Sequence, residues 1–203
     1  MTGDAQITPP AGVDIKSMTR ESLRSWVVDE LGERAFRGDQ LFRWLHGRCA
    51  RNFEGMTDLS KAFREKLGET THIGGLELDE VLVARDGTRK LLLRTWDGHR
   101  IESVVMPMGD RVTQCISSQV GCKIGCTFCL TARMTKRRNL SAAEIVDQVL
   151  WGAHIAASPE ASDLPSTRVG NLVYMGMGEP LDNFTNVLDS VHILMDEKGQ
   201  NYA

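Results

Sequence analysis

The sequence predicts an α/β fold that is preceded by a small helical module and a β-meander. Three changes of pattern along its 203 residues support this prediction. Apolar residues recur at helical spacing up to about residue 69, short β-rich runs follow, and strand-like and helix-like segments then alternate. Such alternation is typical of parallel α/β units. We therefore divide the chain into residues 1–17, 18–72, 73–110 and 111–203.

Residues 18–72 are predicted to form the helical module. Its helices are expected at Arg20–Glu30, Asp39–Arg48 and Ser60–Lys66, each with apolar residues on one face. Residues 1–17 contain no basic start followed by an apolar stretch. We therefore expect a disordered leader there, and not a secretory signal.

Residues 73–110 are predicted to form a three-stranded meander that links the module to the rest of the chain. The three runs LELDEVLVA, KLLLRTW and RIESVVMP are rich in strand-forming residues. They are separated by Asp86-Gly87 and Asp97-Gly98, which are dipeptides that favour tight hairpin turns. The order of turns and runs predicts antiparallel neighbours.

Residues 111–203 are predicted to contain two strand–helix units. A strand near Val112–Ser118 precedes a helix that begins at a capping box formed by Ser141 and Glu144. The apolar run NLVYM is the second strand, and an amphipathic helix capped by Asn183 follows it. This order predicts a parallel pair of strands with a helix between them.

Two loops follow these strands, Gly121–Asn139 and Gly176–Asp182. Ligands of parallel α/β sheets bind at the carboxyl ends of the strands, so both loops are candidate site loops. The sequence ends at Ala203, where a third strand would be expected. Because two units cannot close a barrel, we expect the chain to be an incomplete, partial (β/α) barrel.

Composition narrows the class of protein. A hydrophobic content of 41% with 25% charged residues is ordinary for a soluble protein, and no run approaches the ~18 apolar residues of a membrane span. We expect a cytoplasmic protein with no membrane role. The net charge is −3, but residues 111–140 carry six basic residues and no acid. This concentration of positive charge could serve an anionic partner or cofactor, or it could be a solvated turn.

The spacing Cys122-x-x-x-Cys126-x-x-Cys129 places three thiols on one short loop. Five cysteines in a reducing compartment indicate metal binding rather than disulfides. Three thiolates suit a [4Fe–4S] cluster, because one iron then stays open for a substrate or cofactor, as in radical S-adenosylmethionine chemistry. Structural zinc is the alternative, and it needs a fourth ligand. The candidates for that ligand, Cys115, His99, His154 and His192, stand at no familiar finger spacing.

Longer motifs resemble one family, the radical S-adenosylmethionine adenine-C2 methyltransferases of 23S ribosomal and transfer RNA, the RlmN and Cfr group. The resemblance covers almost the whole chain past the leader. It rests on the segments AFRGDQLFRWLHGR, FEGMTDLSKAFREKL, DGTRKLLLRTWDGHRIESVVMP, CISSQVGCKIGCTFCLTARM, RNLSAAEIVDQV and YMGMGEPLDNF. It implies that residues 111–203 are the first part of a radical S-adenosylmethionine core, and that residues 18–72 are an RNA-binding accessory domain.

The resemblance also implies roles for single residues. Cys122, Cys126 and Cys129 match the cluster ligands of the family. The resemblance therefore supports the same three residues as the cysteine spacing. Gly178 and Glu179 match the segment that binds the aminoacyl end of S-adenosylmethionine. The alternative is that this segment is a solvent-exposed turn with no binding role.

Two further residues match catalytic positions of the family. Glu102 matches the proton acceptor, although a lone strand carboxylate is more often a solvated residue. Cys115 matches the second catalytic cysteine, and without the family it would be taken as a small buried strand residue. Cys49 matches no functional position.

The mechanism implied by the resemblance uses two molecules of S-adenosylmethionine. One methylates a carrier cysteine, and the other gives a 5′-deoxyadenosyl radical that takes hydrogen from that methyl group. The carbon radical adds to C2 of adenine, Glu102 removes the C2 proton, and Cys115 releases the product by forming a disulfide with the carrier. The implied partners are 23S rRNA, tRNA and an electron donor such as flavodoxin or ferredoxin, acting on a monomer.

In the family's pattern the carrier cysteine lies beyond Ala203. A polypeptide that ends there is therefore expected to be inactive and poorly folded when made alone. Two alternatives stay open at this point. One is a non-catalytic zinc-binding RNA module, and the other is methylation at adenine C8 by an enzyme of the same family.

Overall fold

A computed structural model of the chain describes residues 10–202. The helices are α1 (Arg20–Asp29), α2 (Phe36–Phe42), α3 (Lys61–Thr70), α4 (Ala142–Ala156) and α5 (Phe184–Met195). The strands are β1 (Val13–Asp14), β2 (Thr71–His72), β3 (Glu77–Val83), β4 (Arg89–Arg94), β5 (Arg100–Met108), β6 (Arg111–Cys115), β7 (Gln119–Val120), β8 (Arg138–Asn139) and β9 (Val169–Val173). None of these helices is long and apolar enough to span a bilayer.

One five-stranded sheet forms the centre of the structure, in the order β3-β4-β5-β6-β9. The first four strands are antiparallel neighbours, and β9 pairs parallel to β6. Helix α4 connects that parallel pair, which confirms the α/β class. The meander that we assigned to a linker segment therefore belongs to the same sheet as the strand–helix units.

Helix α4 covers one face of this sheet. It begins at the predicted capping box, in which the Ser141 hydroxyl accepts from the Glu144 N–H and the Glu144 carboxylate accepts from the Ser141 N–H. Gln114 of β6 points toward α4 and donates to the carbonyl of Gln148 at 2.6 Å. The other face of β5 and β6, which includes Glu102 and Cys115, is only half-buried. The sheet therefore has one closed and one open face.

The helical module contains three α-helices, as the sequence predicts. The second helix begins at Phe36, three residues earlier than predicted, and passes into a π-helical turn at Arg43–Gly47. Leu23, Leu41 and Leu67, one from each helix, are fully buried. These residues belong to the same apolar core as the buried residues of the sheet and α4.

The predicted disordered leader is wrong for residues 10–17. Val13–Asp14 pairs in parallel with Thr71–His72, and Ile15 and Lys16 are buried. The cause is a contact that local sequence cannot reveal, because the Lys16 ammonium forms an ion pair with the Asp147 carboxylate of α4, 131 residues away. The remainder of the predicted leader, residues 1–9, lies outside the described residues.

Asp147 is a buried junction between the module and the sheet. Besides Lys16, its carboxylate accepts from the N–H of Leu76 at 2.7 Å and lies 3.5 Å from the guanidinium of Arg51. A buried charge is stable only when it is paired and hydrogen-bonded. The Asp147 carboxylate therefore keeps its partners on the neighbouring segments close to α4. The module is thereby fixed against α4.

His46 makes the stability of the module dependent on pH. Its ring is fully buried in the π-helical turn, and within residues 10–202 neither ring nitrogen has a hydrogen-bond partner. Burial, together with the charge of Lys16, lowers the pKa of His46 from 6.5 to about 3. The unfolded chain then binds the proton more readily than the folded chain. The contribution to stability is complete above pH 6.5 and is lost as the pH falls toward 3.

We predict that His46→Leu, which keeps a similar side-chain volume, weakens this pH dependence. Wild-type protein should lose stability between pH 6.5 and pH 4.5, and the variant should lose less over the same interval. The urea midpoint at each pH measures the effect. Parallel pH profiles for the two proteins would contradict the assignment to His46.

Candidate functional site

The candidate site is built where β6 and β9 end. The parallel ladder continues past both strands, because the Ile116 N–H donates to the Val173 carbonyl at 2.9 Å and the Gly176 N–H donates to the Ile116 carbonyl at 3.1 Å. The N–H groups of Ser118 and Gln119 then both donate to the Met177 carbonyl, at 2.8 and 3.1 Å. The segment before the cysteine loop therefore runs beside the segment that contains Gly178.

Gly178 is required by this close approach. Its φ is +101°, a backbone conformation that side chains disfavour, and a Cβ there would lie 2.6 Å from the Cβ of Gln119. The same atom would lie 2.7 Å from the hydroxyl oxygen of Ser118. The two segments thus touch through backbone, and a side chain at Gly178 would separate them.

The side-chain amide of Gln119 fixes the turn after Gly178. Its oxygen accepts from the Glu179 N–H at 2.9 Å, and its nitrogen donates to Asp182 and to Asn139, each at 2.8 Å. One carboxylate oxygen of Glu179 accepts from the N–H of Leu181 at 3.2 Å. Glu179 is thereby oriented at the start of a short 3-10 turn.

Asn183 stands at the N-cap position of α5, as predicted, but it does not cap the helix with its side chain. The amide nitrogen instead donates to the carbonyls of Ser118 and Leu140, both at 2.8 Å and buried. These two carbonyls lie away from water, where carbonyl oxygens need donors, and this need outweighs the local capping preference.

The three cysteines lie on one exposed loop. Cys126 is exposed, Cys122 and Cys129 are half-buried, and all three are free thiols. Gly121 and Gly125 have positive φ, a conformation that glycine adopts readily and that lets the backbone turn beside the cysteines. Among residues 10–202 no three His, Cys, Asp or Glu side chains converge closely enough to hold a metal ion. The convergence that we expected from the cysteine spacing is therefore not present in this structure.

The donor chemistry of this loop nevertheless suits a thiolate-bound group. Hydrogen bonds lower the pKa of the Cys129 thiol, first from the N–H of Ala132 and then from the hydroxyl and N–H of Thr131. A lowered pKa favours the thiolate, which is the form that binds metal. Three accessible free thiols, one of them stabilised as thiolate, fit an iron–sulfur cluster by the nature of their donor atoms.

An ion pair joins the cysteine loop to the turn that contains Glu179. The ammonium of Lys123 lies 2.6 Å from the carboxylate of Asp182. Hydrogen bonds from Lys123, and then from Gln119, lower the pKa of that carboxyl group. The two candidate loops are therefore linked by side chains as well as by backbone.

The positive charge around the cysteines is smaller than the sequence suggested. Arg138 donates to both Asp97 and Glu144, at 2.6 to 2.8 Å, and is thus neutralised within the fold. Lys123 is paired with Asp182, as described above. Arg133 and Lys136 stay exposed and form no ion pair within residues 10–202.

Glu102 and Cys115 share the open face of the sheet. Cys115 pairs directly with Val104 across β5 and β6, and Glu102 is two residues from Val104 on the same face. The Lys90 ammonium lies 2.9 Å from the Glu102 carboxylate. Burial raises the pKa of the Cys115 thiol, which accepts a hydrogen bond from the N–H of Met175. Cys115 thus lies beside the start of the loop that contains Gly178.

Sequence reasoning missed the polar residues that assemble the site. Ser117, Gln119 and Gln148 are all buried. Ser117 and Gln119 hydrogen-bond to the 176–182 loop, and Gln148 holds the backbone of Ser117. The available signal was the polar run Ser117-Ser118-Gln119 between a strand and the cysteine loop, where polar groups that become buried need partners.

Comparisons with known proteins agree with this architecture. Residues 13–73 match the family described as ribosomal RNA large subunit methyltransferase N-terminal domain. A dual-specificity RNA methyltransferase, RlmN 2 of Myxococcus xanthus, is 47% identical over 195 residues, which are 96% of this chain and 51% of that protein. The RlmN of Geotalea uraniireducens is 44% identical over 191 residues, 94% of this chain and 52% of that protein.

Residues 13–73 carry the N-terminal domain of this family, and the chain as a whole is similar to about half the length of these RlmN proteins. This confirms the resemblance found in the sequence. A solved structure agrees with it, because a radical SAM methyltransferase from Sphaerobacter thermophilus superposes with a TM-score of 0.80 at 36% identity, covering 96% of this chain and 55% of that one. The chain spans about half the length of the curated RlmN relatives it matches.

We predict that Gly178→Ala separates the two site segments. The control is Gly109→Ala, because Gly109 also has a positive φ but nothing lies within 4 Å of the position that a Cβ would take there. The control should cost about 1 kcal/mol of stability for the backbone conformation alone. Gly178→Ala should cost about 2 kcal/mol more, because its Cβ meets Gln119. Urea unfolding measures both, and equal costs would contradict the proposed contact.

Proposed function

We propose that this chain contributes the first part of a radical S-adenosylmethionine methyltransferase that acts at C2 of an adenosine in 23S rRNA and in tRNA. The observation that carries the proposal is the contact between two loops in a chain that is similar to RlmN proteins. The segment leading to the three cysteines lies beside the segment with Gly178 and Glu179, at the carboxyl ends of β6 and β9. The similarity to RlmN proteins supports the reaction type, and the relatives carry the name dual-specificity RNA methyltransferase.

Cys122, Cys126 and Cys129 are the residues that would hold a [4Fe–4S] cluster. When bound, such a cluster supplies one-electron reduction at an iron that has no protein ligand. The free thiols and the lowered pKa of Cys129 support this assignment. The link from Lys123 to Asp182 would hold the loop near the cofactor segment.

Gly178 and Glu179 would bind the aminoacyl end of S-adenosylmethionine. A carboxylate is a strong acceptor for an ammonium group, and one oxygen of Glu179 is already oriented by the Leu181 N–H. Gln119 holds the backbone of Glu179 from the other side. These contacts would present the carboxylate without a large loss of conformational freedom on binding.

Glu102 would accept the proton from C2 of the adenine, and Cys115 would release the product. Both lie on the open face of the sheet, where a base could approach. The ion pair with Lys90 holds one oxygen of the Glu102 carboxylate in place. The adenine must be unpaired or extruded from its stack, which costs a few kcal/mol and is least costly in RNA loops.

Residues 18–72 would provide RNA binding. Arg34 and Arg43 are exposed on this module and form no ion pair within the described part of the chain, and Arg48 stacks on Trp44 at 4.1 Å. Free guanidinium groups bind phosphates and stack on bases. A cytoplasmic location, a monomeric enzyme and reduction by a flavodoxin- or ferredoxin-type donor complete the proposal.

Anaerobic reconstitution with iron and sulfide tests the cluster assignment. We expect about four irons and four sulfides per chain, with broad visible absorption. Cys126→Ser should lose most of this absorption, and Cys49→Ser should keep it, because Cys49 lies outside the cysteine loop. A single colourless zinc bound in place of iron would support the zinc-binding RNA module instead.

The position of methylation is tested in a full-length RlmN-family enzyme that contains these residues. Digestion of the product RNA and mass spectrometry against synthetic standards should identify 2-methyladenosine. Replacement of the residue equivalent to Glu102 by Gln should lower the rate by at least about a hundredfold, since a positioned base contributes that much. A product of 8-methyladenosine would overturn the proposed position.

A further inference from the structure

The hydroxyl of Ser117 joins the two halves of the proposed site. It donates to the backbone carbonyl of Glu102 at 2.7 Å, and it accepts from the backbone N–H of Met177 at 2.9 Å. Ser117 is fully buried. One side-chain oxygen therefore connects strand β5, at the proposed proton acceptor, to the loop that contains Gly178 and Glu179.

The backbone of Ser117 is itself held by helix α4. Its N–H donates to the side-chain oxygen of Gln148 at 2.7 Å, and its carbonyl accepts from the side-chain nitrogen of Gln148 at 2.9 Å. With both backbone groups fixed, the position of the hydroxyl is determined by the fold. Gly176 leaves room for it, since a Cβ at Gly176 would lie 2.7 Å from the Ser117 oxygen.

We propose that Ser117 is a positioning residue, which fixes the Glu102 backbone and the 176–179 loop in one register. The inference rests on the roles proposed above for Glu102, Gly178 and Glu179. Both hydrogen bonds need the same oxygen, so displacement of either segment weakens its connection to the other. Ser117 thus adds a direct side-chain connection between these two segments to the main-chain hydrogen bonds described above.

The neighbouring Ser118 provides a matched control. It is also buried, but within the described residues its hydroxyl has no hydrogen-bond partner. Replacement of either serine by Ala removes one oxygen from adjacent buried positions. Only the change at Ser117 removes two connections between segments.

Amide hydrogen exchange on a full-length protein that contains these residues tests the connection directly. In Ser117→Ala, exchange of the Met177 amide should become about tenfold faster, because its acceptor is lost. The Ile116 amide, which donates to Val173, should keep its protection. Ser118→Ala should leave both amides unchanged.

Unchanged exchange of Met177 in Ser117→Ala would overturn the proposal. If the amides of Ser117→Ala lose protection throughout the chain, the variant is unfolded and Ser117→Cys is tested in its place. A thiol is nearly isosteric with the hydroxyl and forms weaker hydrogen bonds. In that variant Met177 should exchange faster while Ile116 stays protected. Equal protection of Met177 in the Cys variant and the wild type would equally overturn the proposal.

A second test separates positioning from a general structural role. In a full-length family enzyme, the Ser117→Ala equivalent should slow methylation by about tenfold and enlarge the kinetic isotope effect of C2-deuterated adenosine, because proton removal becomes slower. A lowered rate with an unchanged isotope effect would contradict positioning. Failure of the wild-type enzyme to methylate C2 would refute the proposed function, while the exchange result would still decide the connection.

Discussion

The structure depends on one close backbone contact, between residues 116–119 and residues 176–178. Main-chain hydrogen bonds continue the β6–β9 pairing beyond both strands, and they are possible because Gly176 and Gly178 have no side chains. The cysteine loop begins just after the first segment and the Glu179 turn just after the second. Two loops that are about sixty residues apart in sequence therefore begin side by side. The contacts of Ser117 and Gln119 with the 176–182 loop follow from this register.

Much of the fold could be predicted because its signals are local. The Asp-Gly turns, the capping box at Ser141 and the apolar periodicity of the helices each depend on neighbouring residues, and each is present in the structure. What could not be predicted depends on distant partners. The burial of Lys16 requires Asp147, and the side chain of Asn183 is taken by carbonyls of two other segments. No local pattern specifies such pairs.

The candidate site also contains residues that the sequence identifies and residues that it does not. The cysteines, Gly178 and Glu179 are recognisable from spacing and from family motifs, since these residue types have direct chemical roles. The residues that orient them are ordinary Ser, Gln and Asn side chains, whose importance comes from burial and hydrogen bonding. The charge pattern was misleading for Arg138, because two acidic partners that are separate in sequence neutralise it. Charge counted along a chain overstates the field when folding pairs the charges.

The buried ion pair of Lys16 with Asp147 limits how far the helical module can move relative to the sheet. The pair ties the segment around Lys16 to α4, and that segment is joined to the helical module by the pairing of β1 with β2. Helix α4 is packed against the sheet whose other face holds Glu102. Breaking a buried pair costs several kcal/mol, so the module should not swing freely relative to that face. A partner that contacts both the module and that face must therefore match a fixed separation between them. Such a surface favours a rigid partner of matching shape, because a flexible partner loses more conformational freedom on binding.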